Sequence, residues 1–520
     1  MNCERGRKEM VVRIDGNSLT IEQVHEVARN HARVVLSDKA RRAVIRCRRT
    51  VEELVREGQM IYGVTTGIGE LARVRVSPEM GQELQRRIVY SHSAGVGEFF
   101  KEDEVRAGML LRANVIAKGY SAVRLSTLQT LIGMLNRNVV PAINEKGSVG
   151  TSGDLSPLSQ MAEVVMGEGR AFYKGKLVSG AEALRKAGLK PVTLSFKEGL
   201  GLINGSQMFT GCGALRLYDA YRVFKTAMIA SAMSADALRT PPRAFDKRAH
   251  EVRPFNGQNT VAGNLRRLLK GSKLASGGGK VQDAYSLRCI PQIYGPSLDA
   301  LHYIRQQIEI EMNSAADNPL FFAADREQVA CGNFHGQPVA MALDLLAIAM
   351  SEVGGLSERH INRLLNPHLN VGLPGFLVKG EGLNSGLMVA QYTAASLCSE
   401  NKLLSHPAIV DNFSMAADQE DHVCMGPIAA RKAKEIIWNV INVLAIEMMS
   451  AAQAFDFREE TPGVGPLTAY KEIRKVVKML KKDRVLYPDI QVIAKKIASW
   501  EILEAVEARV GQMDLFWGKR

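Results

Sequence analysis

KEIIWNVINVLAIEMMSAAQAFDF, residues 434–457, presents Ile, Leu, Met, Val or Ala on nearly every side of a helix. A helix lying on a surface needs only one apolar stripe, so one that is apolar almost all round must be enclosed by others. Residues 339–365 read the same way. Proline clashes with a helix interior and removes an amide donor, so its absence permits long helices. Pro191 and Pro241 bracket 49 residues without proline, Pro374 and Pro407 bracket 32, and Pro427 and Pro462 bracket 34. Aromatic content is only 6% against 21 methionines, which suits helix packing better than sheet packing. The spacing therefore predicts a mainly α protein built on a body of long packed helices.

Working outward, the first part of the chain is more broken. Thr20 with Gln23 forms a capping-box pattern ahead of a short helix. Ser37 caps a second helix, with Ala40, Val44, Cys47, Val51 and Leu54 on one side and Gly58 at its end. Ser77-Pro78 reads as N-cap and N1 of another. Lys174-Gly175 predicts a small hairpin, and residues 271–280, GSKLASGGGK, a flexible loop. Residues 471–484, KEIRKVVKMLKKDR, predict an amphipathic helix with a solvated face. We divide the chain into a loop-rich part, 1–195, and a long-helix body, 196–520.

Composition narrows the function. With 520 residues and 46% hydrophobic content the chain can bury a large core, which excludes wholesale disorder and small disulfide scaffolds. The formal charge of +13 admits nucleic acid, an anionic surface or acidic substrates. No interleaved aromatics or nucleic-acid-binding motif accompany it, so no nucleic-acid partner is expected. Seven scattered cysteines without a CxxC, no apolar leader in MNCERGRKEMVVRID, and no continuously apolar window of about 18 residues indicate a cytoplasmic protein without a membrane partner. Glu420-Asp421-His422 lacks a second ligand pair, so no metal is expected. Gly279-Lys280 is not a phosphate loop, because Val281 follows where Ser or Thr is needed.

The segment that carries chemistry is GSVGTSGDLSP, residues 147–157, a Gly/Ser-rich turn before a helix capped by Ser152 or Asp154. It resembles the signature of the histidine and aromatic amino-acid ammonia-lyases and aminomutases. There an Ala-Ser-Gly triplet cyclises to a methylidene-imidazolone electrophile, and here Thr151-Ser152-Gly153 stands in its place. Glycine suits the third position because its amide nitrogen can approach the carbonyl two residues back unhindered. Thr151 hangs off the ring, so cyclisation should survive that departure. The resemblance runs from about Tyr62 to about Ala451 through YGVTTGIG (62–69), NGSQ (204–207), QDAYSLR (282–288), NSAADNP (313–319), GNFH (332–335), GLNSGLMVAQ (382–391) and QEDH (419–422). Thr65, Ile68, Ala284 and Asp418 depart from the common residues.

The resemblance implies a fumarase/aspartase-like helical bundle with few short strands, a homotetramer with shared active sites, and no external cofactor. It implies that Tyr62 is the base for the β-proton, and that Asn204 and Tyr285 hydrogen-bond the electrophile. Arg288 would grip the substrate carboxylate, with Gln282 orienting that end. Phe334 and Met388 would shape the pocket. Ser91-His92 occupies the family's selectivity position, and Glu420 can accept from an imidazole N–H. These point to L-histidine, giving trans-urocanate and ammonia. A tyrosine or other aromatic lyase, or a 2,3-aminomutase, stays open, since aminomutases share Ser-His and the Thr65-Thr66-Gly67 loop. An inactive basic helical binding protein is the third possibility.

Overall fold

In the computed structural model of the protein, residues 10–275, 280–380 and 382–515 are described. Cys3, Gly279, most of the leader stretch and the middle of the 271–280 loop lie outside them. The chain is mainly helical, with short sheets of two or three strands among the described residues. It divides into two units. The first comprises residues 1–218, 304–344 and 407–431, so it contains the whole of 1–195. The second comprises 219–303, 345–406 and 432–520.

The proline gaps hold long helices, namely Gln207–Ala237, Met388–Leu404 and Gly426–Phe455. In the last, Ile436, Val440, Val443, Leu444, Ala445, Ile446 and Met448 are fully buried, which is why nearly every face is apolar. Gln337–Leu365 and Gly426–Phe455 are long and apolar enough to cross a membrane by length and composition. Both fall on the stretches whose all-round apolar pattern predicts enclosed helices, and neither is an unbroken apolar run. Their most apolar windows are 67% and 83% buried within the protein. Pro296 is tolerated inside helix Ile290–Met312, an exception to the proline rule.

In the first unit, Thr20 and Gln23 make the capping box of helix Ile21–Arg29. Ser37 caps Asp38–Arg56, with Ala40, Val44, Cys47, Val51 and Leu54 all buried. Gly58 takes a left-handed φ of 76° just past that helix. Lys174-Gly175, at φ 50° and 74°, turns strand Arg170–Tyr173 into Lys176–Ser179. Ser77-Pro78 opens only one 3-10 turn, Pro78–Met80, ahead of helix Gly81–His92.

Two local expectations need correction. Asp154 stands at the N-cap of Leu155–Val165, but its side chain does not cap that helix. Its Oδ2 accepts instead from the amides of Met208 and Phe209, at 2.8 and 3.1 Å, in the first turn of Gln207–Ala237. The basic stretch 471–484 is helical only to Arg474. Gln453 then takes over the backbone, donating to the Leu480 carbonyl (2.9 Å) and accepting from its amide (2.9 Å). That pairing seats Leu480 in the interior, and a solvated helix would have carried it away.

Candidate active site

The Thr151–Gly153 turn is held by backbone rather than by side chains. Ser152 has φ 45° and Gly153 has φ 86°. A left-handed serine is costly in isolation, so its surroundings must enforce it. Gly205 does so from the parallel segment. Its amide donates to the Ser152 carbonyl and its carbonyl accepts from the Asp154 amide, both at 2.8 Å. Any Cβ on Gly153 would lie 2.2 Å from the carbonyl carbon and oxygen of Gly205. Only glycine fits there, and the glycine amide is the nucleophile that cyclisation of the triplet requires. The Gly153 carbonyl accepts from Ser148 Oγ at 2.9 Å. The residues present therefore fit the cyclised group.

Buried polar groups surround this turn. Burial pushes the Asp154 carboxyl up to about 8, although the Met208 and Phe209 amides pull it down. Asn204 is buried and donates from Nδ2 to the Asn318 carbonyl at 2.9 Å. Its own carbonyl accepts from Arg112, which also donates to Gln207 Oε1 at 2.8 Å. Arg112 is fully buried, and desolvation lowers its pKa to about 10. Lys197 and Asp317 form a fully buried pair at 2.9 Å. Sequence reading missed Arg112, Lys197 and Asp317. The signal for Arg112 was a lone charge in an apolar run, residues 109–117.

Glu420 comes to the triplet from another segment, with Oε1 3.4 Å from Ser152 Oγ. It is positioned by a two-way backbone bridge with Met415 and three consecutive left-handed residues, Ala416, Ala417 and Asp418. Aspartate tolerates that conformation better than most residues, which accounts for Asp418 locally. Tyr62 lies on a loop folded by its own threonines. Thr65 Oγ1 accepts from the Ile61 amide (2.9 Å), and Thr66 Oγ1 from the Gly63 amide (3.2 Å). The cluster of Cys47, Val51, Leu54, Val55, Ile61 and Val64 supports it. Tyr62 Oη accepts from the Gly69 amide at 2.9 Å. Burial raises the Tyr62 pKa, the Gly69 amide lowers it, and the nearby charge of Glu420 raises it further.

Ser91 and His92 close helix Gly81–His92, and their hydrogen bonds stay within it. His92 Nδ1 is 2.8 Å from the Ile88 carbonyl. A carbonyl only accepts, so Nδ1 carries the hydrogen and Nε2 is left as an acceptor. Phe334 is half-buried in the 332–335 turn, whose His335 meets the 419–422 segment through the His422 carbonyl at 3.2 Å. Thus the first unit brings Glu420 into contact with the triplet, Asn204 next to it through the adjoining Gly205, and Tyr62 through the Glu420 charge.

Gln282, Tyr285, Arg288 and Met388 belong to the second unit. Gln282 is exposed, and Tyr285 is 71% exposed in the one-turn helix Tyr285–Arg288. The Arg288 guanidinium stacks 4.8 Å over the Tyr285 ring, and its buried Nε has no hydrogen-bond partner. Met388 is half-buried at the start of Met388–Leu404. Among the described residues no cluster of three or more metal-ligating side chains occurs.

Comparison with known proteins decides the family. The sequence model of aromatic amino acid lyases matches residues 19–475. The chain belongs to the aromatic amino acid lyase family. Its relatives include the histidine ammonia-lyase of Alkaliphilus oremlandii, 52% identical over 96% of this chain and 99% of the relative. Among solved structures, a tyrosine aminomutase from Streptomyces globisporus superposes with a TM-score of 0.92 at 39% identity, over 97% of this chain and 99% of that one. A histidine ammonia-lyase from Trypanosoma cruzi gives 0.89 at 39% identity, over 96% and 95%. As a lyase of this family the chain has the helical fold that its proline gaps predict.

Proposed function

We propose that this lyase eliminates ammonia from L-histidine to give trans-urocanate, using an electrophile formed from its own Thr151-Ser152-Gly153. The observation that carries the reading is the left-handed Ser152–Gly153 turn, closed to a Cβ at Gly153, with the Glu420 carboxylate beside Ser152. When formed, the methylidene-imidazolone group draws electrons from the substrate and so weakens its C–N bond. Asn204 and Tyr285 would hold that group by hydrogen bonds. No external cofactor is then needed.

The chain's own residues do the rest. Arg288 receives the substrate carboxylate through the planar fork of its guanidinium, and Gln282 orients the same end. Glu420 accepts from the imidazole N–H; a buried carboxylate facing a phenyl ring would go unpaired at a cost. His92 Nε2 offers a second acceptor, with Ser91 beside it. Phe334 and Met388 confine the ring. Tyr62 takes the β-proton, the electron pair left behind forms the Cα–Cβ double bond, and the C–N pair departs with nitrogen. Burial raises the Tyr62 pKa above the ordinary tyrosine value of about 10, so kcat/KM should keep rising with pH across the neutral and alkaline range as the phenol ionises.

Exposure of Tyr285 on the single chain supports a homotetramer in which several chains complete each site. The enzyme is cytoplasmic, acts on a free amino acid, and carries its electrophile in 1–195 on the helical body 196–520. A tyrosine aminomutase or related aromatic activity is the second reading, supported by the superposition at a TM-score of 0.92. L-histidine, L-tyrosine and L-phenylalanine are supplied in turn, and ammonia, urocanate and β-amino products are measured. Urocanate with ammonia from histidine is expected. Ammonia or β-tyrosine from tyrosine, with nothing from histidine, overturns the substrate assignment.

A further inference from the structure

Within the second unit, stretches of three long helices meet at one buried carboxylate. Glu447, on Gly426–Phe455, is fully buried. Its Oε1 accepts from Ser234 Oγ at 2.7 Å, on Gln207–Ala237. Its Oε2 accepts from Ser357 Oγ at 2.6 Å, on Gln337–Leu365. Oε1 also lies 2.8 Å from Nδ1 of His360, itself fully buried one turn after Ser357. The other ring nitrogen, Nε2, is 2.7 Å from the Ser286 carbonyl oxygen. That oxygen only accepts, so Nε2 carries a hydrogen and donates it. Nδ1 faces the carboxylate across the ring. Every polar atom of the pair is thus matched, as an apolar helix core demands.

The contact with Ser286 leads out of this hub. Ser286 lies in helix Tyr285–Arg288, which has four residues and one buried side chain, Leu287. So short a helix has no stability of its own, and its carbonyls need outside partners. His360 supplies one of them from a rigid frame.

We infer that His360 is a positioning residue: braced by Glu447, it holds the Ser286 carbonyl and thereby sets Tyr285 and Arg288 where the substrate carboxylate end binds. This rests on the assignment of Tyr285 and Arg288 proposed above. His360 reaches no substrate atom and acts through the turn alone.

Two near-isosteric variants separate positioning from folding. Asparagine places its amide where Nδ1 was, so His360→Asn keeps a donor for Glu447 and loses Ser286. Glutamine places its amide where Nε2 was, so His360→Gln keeps the donor to Ser286. Both are made in the full-length enzyme and compared with Arg288→Lys for Tm, intact mass, kcat and KM for L-histidine. His360→Asn should raise KM about tenfold with kcat much less affected, the pattern of lost uniform binding. His360→Gln should restore KM to within about twofold of the parent, because one well-placed hydrogen bond is what differs. Equal KM in the parent, the Asn and the Gln variants, while Arg288→Lys raises KM, overturns the positioning role alone. Unchanged KM in Arg288→Lys removes the turn from substrate binding, and the inference falls with that assignment.

Discussion

The two units solve the same problem, holding a polar group inside protein, by opposite means. In the first, the Thr151–Gly153 turn is gripped by backbone groups of Gly205, and a fully buried ion pair, Lys197–Asp317, lies in the same unit. In the second, the Glu447–His360 hub is held by side chains projecting from long helices. A backbone grip demands glycine and leaves no slack, because a Cβ on Gly153 would collide with Gly205. A side-chain hub demands matched donors and acceptors instead, and places no requirement for glycine on the backbone. In the function proposed above the strained segment is the one assigned the chemistry, and the regular one supplies the apolar core.

The contrast can be broken by substitution. Ser152→Ala has the largest expected effect. It removes the hydroxyl lost on forming the methylidene, and elimination should fall by at least about a thousandfold. Activity within tenfold of the parent would show that the turn is not the electrophile. Lys197→Met comes next. It strands the fully buried Asp317 carboxylate in the first unit and should cost about 3–5 kcal/mol in chemical unfolding. Ile446→Ala, in the core of the second unit, should cost about 2–5 kcal/mol by leaving a cavity. If the units divide their labour, Ile446→Ala keeps the cyclised mass of the triplet. Loss of that mass modification in a folded Ile446→Ala protein would dissolve the comparison.

The last expected effect is a pH slope. The native Asp154 carboxyl stays protonated up to about 8, whereas an unfolded one ionises near 4. Its contribution to stability is therefore fully present below about pH 4 and is lost as pH rises towards 8. Asp154→Asn keeps an acceptor for the Met208 and Phe209 amides and lacks that proton. Its Tm, set against the parent's, should gain between pH 5 and pH 8. A variant that loses ground over that interval would show that the parent carboxylate is ionised and stabilising.

What the sequence disclosed follows the same divide. Apolar residues at helical spacing and the proline gaps announced Gln207–Ala237 and Gly426–Phe455, because burial is written one residue at a time. Thr20, Ser37 and Lys174-Gly175 were legible because caps and tight turns use local residue chemistry. Asp154 was misread as a local cap because its partners, Met208 and Phe209, lie 54 and 55 residues away. Residues 471–484 were misread because Gln453, from another helix, outbids the amphipathic pattern for the Leu480 backbone. Arg112 and the Lys197–Asp317 pair look like ordinary surface charges until tertiary structure buries them. Tyr62, Asn204 and Glu420 stood out only through family resemblance, since alone each is an unremarkable polar residue.

The most direct test is the intact mass of the mature protein beside that of Ser152→Ala. A chain that builds its own electrophile should be lighter than its sequence mass by two waters, and the Ser152→Ala protein should not carry that loss. A parent chain at its full sequence mass would contradict the catalytic role of Thr151-Ser152-Gly153.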